Sequence, residues 1–343
     1  MIMSSEVDTG IEKRRVSSET TGLQSKTLDI SDIPIVDLAP MHEMDTSAQR
    51  IVAKKIYSAC REIGFFYVMN HGVSKAIIDG AQTASHDFFS QTIEQKMLVD
   101  ISNSSFNRGY IPLHGEKNNS TSKGDIKETF DMAIEIASDD PDLLAGIPLY
   151  GPNQWPEGIP SFQSGMMQYF QAMTSLSHML YRAFAQALEL PPDNFLGSID
   201  KPLDILRLLR YPPQDVVDDK DQIGTGAHSD FDCFTILWQD PSGGLQVLNR
   251  KGVWIDALPV DGTMLINVGD MLERWTNGKF VSTVHRVINR SGRERHSMVF
   301  FVAPNYSTPI ECIPSCLPTN GQPKYGRISA GDYIVSRYKD VLI

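Results

Sequence analysis

Three short motifs carry side chains able to do chemistry: His228-Ser229-Asp230, His285-Arg286-Val287 and Arg295-His296-Ser297. Residues two apart on a strand share a face, so the His228 imidazole and the Asp230 carboxylate are expected to reach one ion while Ser229 turns away. A third ligand has to come from another strand, and His285 sits in Ser282-Thr283-Val284-His285-Arg286-Val287, β-branched enough to form one. Two imidazoles and one carboxylate on one side of a metal leave the other side open, the arrangement expected of a non-heme Fe(II) oxygenase. The turn-forming run Asn289-Arg290-Ser291-Gly292-Arg293 is expected to close a hairpin that returns Arg295 and Ser297, on a shared face, beside His285. A guanidinium fork and a hydroxyl suit a carboxylate held some distance from the ion. A dicarboxylate chelating iron through its other end fills that gap, and 2-oxoglutarate is such a molecule.

A lone His-x-Asp is a weak signal in a chain with eight histidines, but the ordered set of three motifs, each in strand-like sequence, is a strong one. With it the chain resembles the isopenicillin N synthase-like family of 2-oxoglutarate and Fe(II)-dependent dioxygenases, from about Ile33 to the C-terminus. Further matching stretches are Thr235-Ile236-Leu237-Trp238-Gln239-Asp240, Gly243-Gly244-Leu245-Gln246-Val247, Asn267-Val268-Gly269-Asp270 and Trp275-Thr276-Asn277-Gly278. The resemblance implies Fe(II) on His228, Asp230 and His285, with O2 as oxidant and the distal carboxylate of 2-oxoglutarate on Arg295, Ser297 and Tyr211. Tyr211-Pro212 matches the family's Asn-x-Tyr-Pro element only in part, because Leu209 stands in the asparagine position. The reaction implied is oxidation of a C–H bond of a small molecule in secondary or amino-acid metabolism, coupled to formation of succinate.

The substrate side is read from flanking residues. In resembling enzymes Arg108, Tyr110, Phe130 and Asp131 approach the barrel mouth, and Phe231 follows the metal motif. Arg207 shares the inward face of its strand with Tyr211, so it either meets Asp131 or another acid or waits for an anionic group on the substrate. Arg207 and Arg108 together point to a substrate carboxylate. Three rival readings stay open: an oxidase of the same family that uses no 2-oxoglutarate, a zinc hydrolase, and a non-catalytic metal-binding barrel.

The elements that must position these groups are legible around them. Residues 1–28 are polar and aperiodic, a tail without hydrophobic pattern; residues 29–343 read as one domain, mainly helical over 29–200, barrel over 201–305 and a C-terminal helical region over 306–343. Ile33–Leu38 and Phe65–Met69 read as strands. Helical spacing marks the segments from Ser47 to Gly64, Lys75 to Gln91 and Pro160 to Leu190. Short strands and turns from Leu206 to Val302 argue an α+β fold, a double-stranded β-helix (jelly roll) braced by helices. A polar loop at 117–123 is a candidate lid. His71 reads as part of a turn, Cys233 as packing, and His296 as facing away from the barrel.

The 343 residues carry a net charge of −11 and four cysteines without a Cys-x-x-Cys pair. An acidic chain disfavours nucleic acid and anionic membranes. No signal-peptide core and no membrane-length apolar run occur. A cytoplasmic enzyme acting on a small molecule is the expectation; nothing in the pattern reports an oligomeric state.

Overall fold

The computed structural model describes residues 33–43, 45–116, 124–214 and 223–338. The expected tail at 1–28 and the expected lid at 117–123 lie outside the described residues.

Two sheets face each other. The larger contains β1 (Ile35–Asp37), β2 (Phe65–Met69), β3 (Gly109–Ile111), β4 (Glu128–Ala133), β5 (Ile205–Tyr211), β7 (Phe234–Gln239), β10 (Thr263–Val268) and β12 (Arg295–Val302), in the order β1-β2-β10-β7-β12-β5-β4-β3. The smaller is β6 (Thr225–His228), β11 (His285–Val287), β8 (Leu245–Leu248) and β9 (Trp254–Asp256), in that spatial order. From β5 onward the chain steps between the sheets at nearly every turn, with only β8 and β9 forming a local hairpin. That alternation is the jelly-roll winding. β13 (Pro309–Ile310) and β14 (Ile328–Ser329) form a small separate ribbon.

The winding corrects one expectation. β11 and β12 do not pair with each other; β11 pairs β6 and β8, while β12 pairs β5 and β7. The turn is present, with the Asn289 carboxamide donating to Arg293 O and its oxygen accepting from Ser291. It carries the chain across the gap between sheets, so Arg295 faces the metal motif from the opposite wall rather than from a neighbouring strand.

Period-two alternation sorts the side chains of β5 and β12 into two cores. Leu206, Leu208, Met298, Phe300 and Val302 point outward into a core shared with the helices, whereas Leu209, Tyr211 and Val299 point between the sheets with Leu237, Leu245 and Val247. Helices α1 (Thr46–Glu62) and α2 (Lys75–Phe89) are followed by the short α3 (Ile93–Met97) and α4 (Pro141–Leu144), and then by the long α5 (Phe162–Ala187). Asp45 caps α1 by accepting from Ser47 N and Ala48 N, and Ser74 caps α2. Met166, Phe170, Met173, Leu180 and Phe184 form the buried stripe of α5. Its aromatic rings lock onto the sheet, Phe170 on Phe300 and Phe184 on Phe234, each with centroids 5.0 Å apart. α6 (Asp270–Trp275) follows β10, and α7 (Ala330–Tyr338) ends the described chain.

Phe300 is fully buried on the helix side of β12, on the face opposite Arg295 and Ser297. Replacing it with Ala is expected to cost about 3–5 kcal/mol of stability through lost transfer energy and a residual cavity. Urea denaturation checks the loss. Since the inner face is not touched, cosubstrate affinity of the folded fraction should stay within a few-fold of the parent.

Candidate metal and anion site

His228 is the last residue of β6, and Asp230 lies beyond the strand in the loop toward β7, so the pair converges at a strand end rather than along one strand. His285 opens β11 directly opposite His228 in the ladder. The Nε2 atoms of His228 and His285 lie 3.5 and 3.6 Å from Asp230 Oδ1. One ligand atom from each of the three lies within 4.8 Å of the others, the only such group of His, Cys, Asp or Glu among the described residues. Ligands held about 2.1 Å from one ion leave separations of this size between themselves.

The surroundings aim each ligand. His228 Nδ1 is 2.8 Å from Gly226 O, and His285 Nδ1 is 3.1 Å from Thr283 O. A carbonyl oxygen only accepts, so both Nδ1 atoms carry the proton and both Nε2 lone pairs face the centre. Burial pushes the His285 imidazole down to about 4, keeping it neutral and able to ligate. Asp230 is treated asymmetrically: Oδ2 accepts from the Thr235 hydroxyl at 2.6 Å and the Asn267 amide at 2.8 Å, which leaves Oδ1 for the ion. Despite its burial, the Asp230 carboxyl is held well below the usual carboxylate range. The loop itself is clamped onto α6, whose first amides donate to Asp230 O at 2.8 Å and Asp232 O at 3.2 Å. Only glycine fits before them, because a Cβ on Gly269 would lie 2.1 Å from Asp232 O.

Farther along the inner face lies a candidate anion receptor. Arg295 is 1% exposed and has no carboxylate partner among the described residues. Its Nε donates to Gly243 O at 2.7 Å, Nη1 to the Ser297 hydroxyl at 3.1 Å and Nη2 to the Gln239 amide oxygen at 3.2 Å. Five N–H donors minus these bonds leave one on each terminal nitrogen, the fork that grips a carboxylate. Tyr211 pairs with Arg295 across the ladder, its ring 4.8 Å from the guanidinium and its hydroxyl 3.1 Å from the Thr225 hydroxyl. A buried guanidinium without a counter-charge is costly, and an anion is the ligand such a site suits. Thr235 and Gln239 share the inner face of β7 roughly 13 Å apart, at about 3.3 Å per residue. Side chains reaching inward from the two ends leave room for a short dicarboxylate, and the donor set therefore fits both iron and 2-oxoglutarate.

The substrate-side expectations fare unevenly. Arg207 meets Asp131, through Nε at 2.7 Å and Nη2 at 2.6 Å, and also Glu116, so the pairing branch of that expectation is the one realised. Arg108 is 1% exposed; it donates to the carbonyls of Phe106, Asn107 and Leu149, tying loops together, with only Nε lacking a partner among the described residues. Tyr110 and Phe130 do not face the barrel. Their register with Leu208 turns both toward the helices, where they pack on Phe88, and the Tyr110 hydroxyl donates to Glu128. Asp131 and Arg207 point the other way because they are one residue out of phase. Phe231, half-buried, sets its ring edge-on to Tyr338 of α7 at 5.5 Å. His71 lies at the end of β2 remote from Phe65, the residue that packs against His285. His296 faces away from the barrel as expected, stacked on His86 of α2 at 3.9 Å. Sequence reading missed the supporting roles of Thr235, Asn267, Gln239 and Thr225; the available signal was a polar residue on the inner phase of an otherwise apolar strand.

Comparison with known proteins follows this geometry. Residues 33–158 match the family described as non-haem dioxygenase in morphine synthesis N-terminal, and residues 202–304 match the 2OG-Fe(II) oxygenase superfamily. The chain is 38% identical over 325 residues to the 2-oxoglutarate-Fe(II) type oxidoreductase ppzC of Metarhizium rileyi, covering 90% of this chain and 87% of that one. It is 35% identical to the similarly named hxnY of Emericella nidulans, covering 89% of each. Among solved structures it resembles a full-length Neurospora crassa protein in complex with alpha-KG and thymine, with TM-score 0.80, 30% identity and coverage of 90% of this chain and 96% of that one.

Replacing Asn267 with Leu removes one of the two bonds that hold Asp230 Oδ2. Divalent-metal affinity, measured by equilibrium titration, is expected to fall about 10- to 100-fold while circular dichroism stays native. Undiminished affinity would refute the orienting role of Asn267.

Proposed function

The chain belongs to the 2OG-Fe(II) oxygenase superfamily, and from that premise we propose that His228, Asp230 and His285 hold the iron while Arg295, Ser297 and Tyr211 hold 2-oxoglutarate. The enzyme is a non-heme Fe(II)- and 2-oxoglutarate-dependent dioxygenase. Iron, when bound with 2-oxoglutarate and dioxygen, supplies the oxidising chemistry: decarboxylation of the cosubstrate to succinate coupled to oxidation of a C–H bond. The observation that carries the residue assignment is the buried Arg295 fork, an uncompensated cation standing along β7 from the ligand triad. Neither a hydrolase nor a storage barrel needs such a fork; the oxidase that dispenses with 2-oxoglutarate could use it for its substrate's own carboxylate, and against that reading stand the named relatives and the alpha-KG complex.

The protein's own work is orientation. The Gly226 and Thr283 carbonyls keep the imidazoles in one tautomer, and Thr235 with Asn267 keeps Asp230 turned so that one oxygen faces the ion. Gln239, itself held by a bond from its amide nitrogen to Ala257 O at 3.1 Å, fixes the roll of the Arg295 guanidinium. Phe65 packs edge-on to His285 at 5.5 Å and keeps that side of the centre dry. Small molecules such as thymine bind structural relatives, and a small-molecule substrate in secondary metabolism fits this chain. The expected substrate carboxylate loses its support, because Arg207 is paired and Arg108 is sealed. Four free cysteines support a reducing, cytoplasmic setting, and among the described residues no helix is long and apolar enough to cross a membrane.

Anaerobic titration with Fe(II) and then 2-oxoglutarate is expected to give the weak visible charge-transfer band of a chelated 2-oxo acid. His228→Ala should abolish it. Arg295→Ala should weaken 2-oxoglutarate binding by about 2–4 kcal/mol, a loss typical of removing one partner of a buried charge pair. An Arg295→Ala protein with parent affinity would sink the assignment. Gln239→Leu, which leaves the fork present but unsteadied, is expected to raise the KM for 2-oxoglutarate roughly tenfold, about one lost hydrogen bond, with kcat changing less.

A further inference from the structure

The inner face carries two arginines in the barrel wall, and they are prepared for different ligands. Among the described residues Arg295 has no acid beside it and keeps one free N–H on each terminal nitrogen. Arg207, on β5 of the same sheet face, sits in a closed ionic network. Its Nε and Nη2 bind both oxygens of Asp131, at 2.7 and 2.6 Å, while Nη2 and Nη1 lie 3.0 and 3.3 Å from the two oxygens of Glu116. Glu116 also meets Lys127 at 3.1 Å, and Lys127 meets Asp125 at 3.1 Å. Among the described residues, three carboxylates thus face two cations in this network. Arg108, the nearby third cation, is occupied by backbone carbonyls. The carboxylates of Asp131 and Glu116 are only 4% and 3% exposed, whereas the Arg207 side chain keeps 15%, so it is the arginine that is presented to the chamber. Three of its five N–H groups are hydrogen-bonded, and Nη2 also faces Glu116 as an ion pair, so what sets it apart from Arg295 is the two acids attached to it.

A carboxylate arriving here would meet two acids already attached to the guanidinium, and like charges would oppose it. A neutral carbonyl meets no such repulsion. A second observation points to a ligand with hydrogen-bonding capacity: the Thr129 hydroxyl, on the inner phase of β4 two residues before Asp131, is 1% exposed and has no partner among the described residues. A buried hydroxyl without a partner is unusual unless something supplies one. Burial raises the Glu116 carboxyl, but Arg207 and Lys127 outweigh it and hold the group down at about 2, which keeps Glu116 ionised, whereas burial pushes the Asp131 carboxyl up against the pull of Arg207.

Resting on the cosubstrate assignment above, we infer that the prime substrate meets Arg207 through an uncharged hydrogen-bond acceptor such as an amide, lactam or ketone carbonyl, and that Glu116 and Asp131 are the specificity-determining residues that exclude a carboxylate at that point. The network makes the two arginines distinguishable: 2-oxoglutarate goes to the bare one, and the substrate to the neutralised one.

The experiment uses the full-length protein loaded anaerobically with Fe(II) and 2-oxoglutarate, and follows perturbation of the charge-transfer band by matched acid and amide pairs of one skeleton, benzoate with benzamide and nicotinate with nicotinamide. The parent protein and the Glu116→Gln variant are compared, with Asp131→Asn as a parallel variant should the first fold poorly. The expected result is a response to the acids that is at least tenfold stronger in the variants than in the parent, because a freed guanidinium accepts a carboxylate. If parent and variants respond alike to the acids, including no response in either, the inference is overturned. Absence of any band before the probes are added would instead strike the cosubstrate assignment, so the two failures read differently.

Discussion

The arrangement depends on a single carboxylate whose two oxygens have different partners. Asp230 Oδ2 is occupied by the Thr235 hydroxyl and the Asn267 amide, which belong to neighbouring strands of the large sheet. Oδ1 is thereby left to the two imidazoles that arrive from the small sheet. The same residue's carbonyl is tied to the first amide of α6. A metal centre at the seam of two sheets would need such a joint, because the small sheet carries only the two imidazoles and the carboxylate comes from the loop that crosses to the large sheet.

Charge placement on the inner face follows from that joint. Burying a cation in a low-dielectric interior is favourable only when it is paired or waiting for a partner. Arg207 is paired and contributes to holding β4 and β5 in register; Arg295 is not, and three neutral acceptors offset part of its desolvation until an anion arrives. Binding of an anion there would return stability to the fold, since a ligand that binds only the native state shifts the folding equilibrium. The helical layer makes this tolerable. Aromatic packing of α5 against the outer face of the large sheet, through Phe170, Phe184 and Tyr181, gives the sheet a rigid backing that does not depend on the polar interior.

Local pattern determined a good deal by itself. Alternation in Leu206 to Tyr211 put Arg207 and Tyr211 on one face, helical spacing marked α1, α2 and α5, and motif order brought His228, Asp230, His285, Arg295 and Ser297 into one proposal; each of these depends on chain periodicity, which a sequence displays directly. What sequence could not fix was which sheet each strand joins. The turn at Ser291 looks the same whether it closes a hairpin or crosses between sheets, and only the pairing of β12 with β5 and β7 placed Arg295 on the wall opposite β11. The phase of β3 and β4 was decided in the same way, since one residue of register separates Asp131 on the inner face from Tyr110 and Phe130 among the helices. Whether an arginine is free or neutralised is a property of partners distant in the chain, such as Glu116 for Arg207 and the Leu149 carbonyl for Arg108. Those partners meet only when the sheets have closed, so the residues proposed for the metal and the anion were named from local sequence while the character of the substrate side was set by tertiary structure.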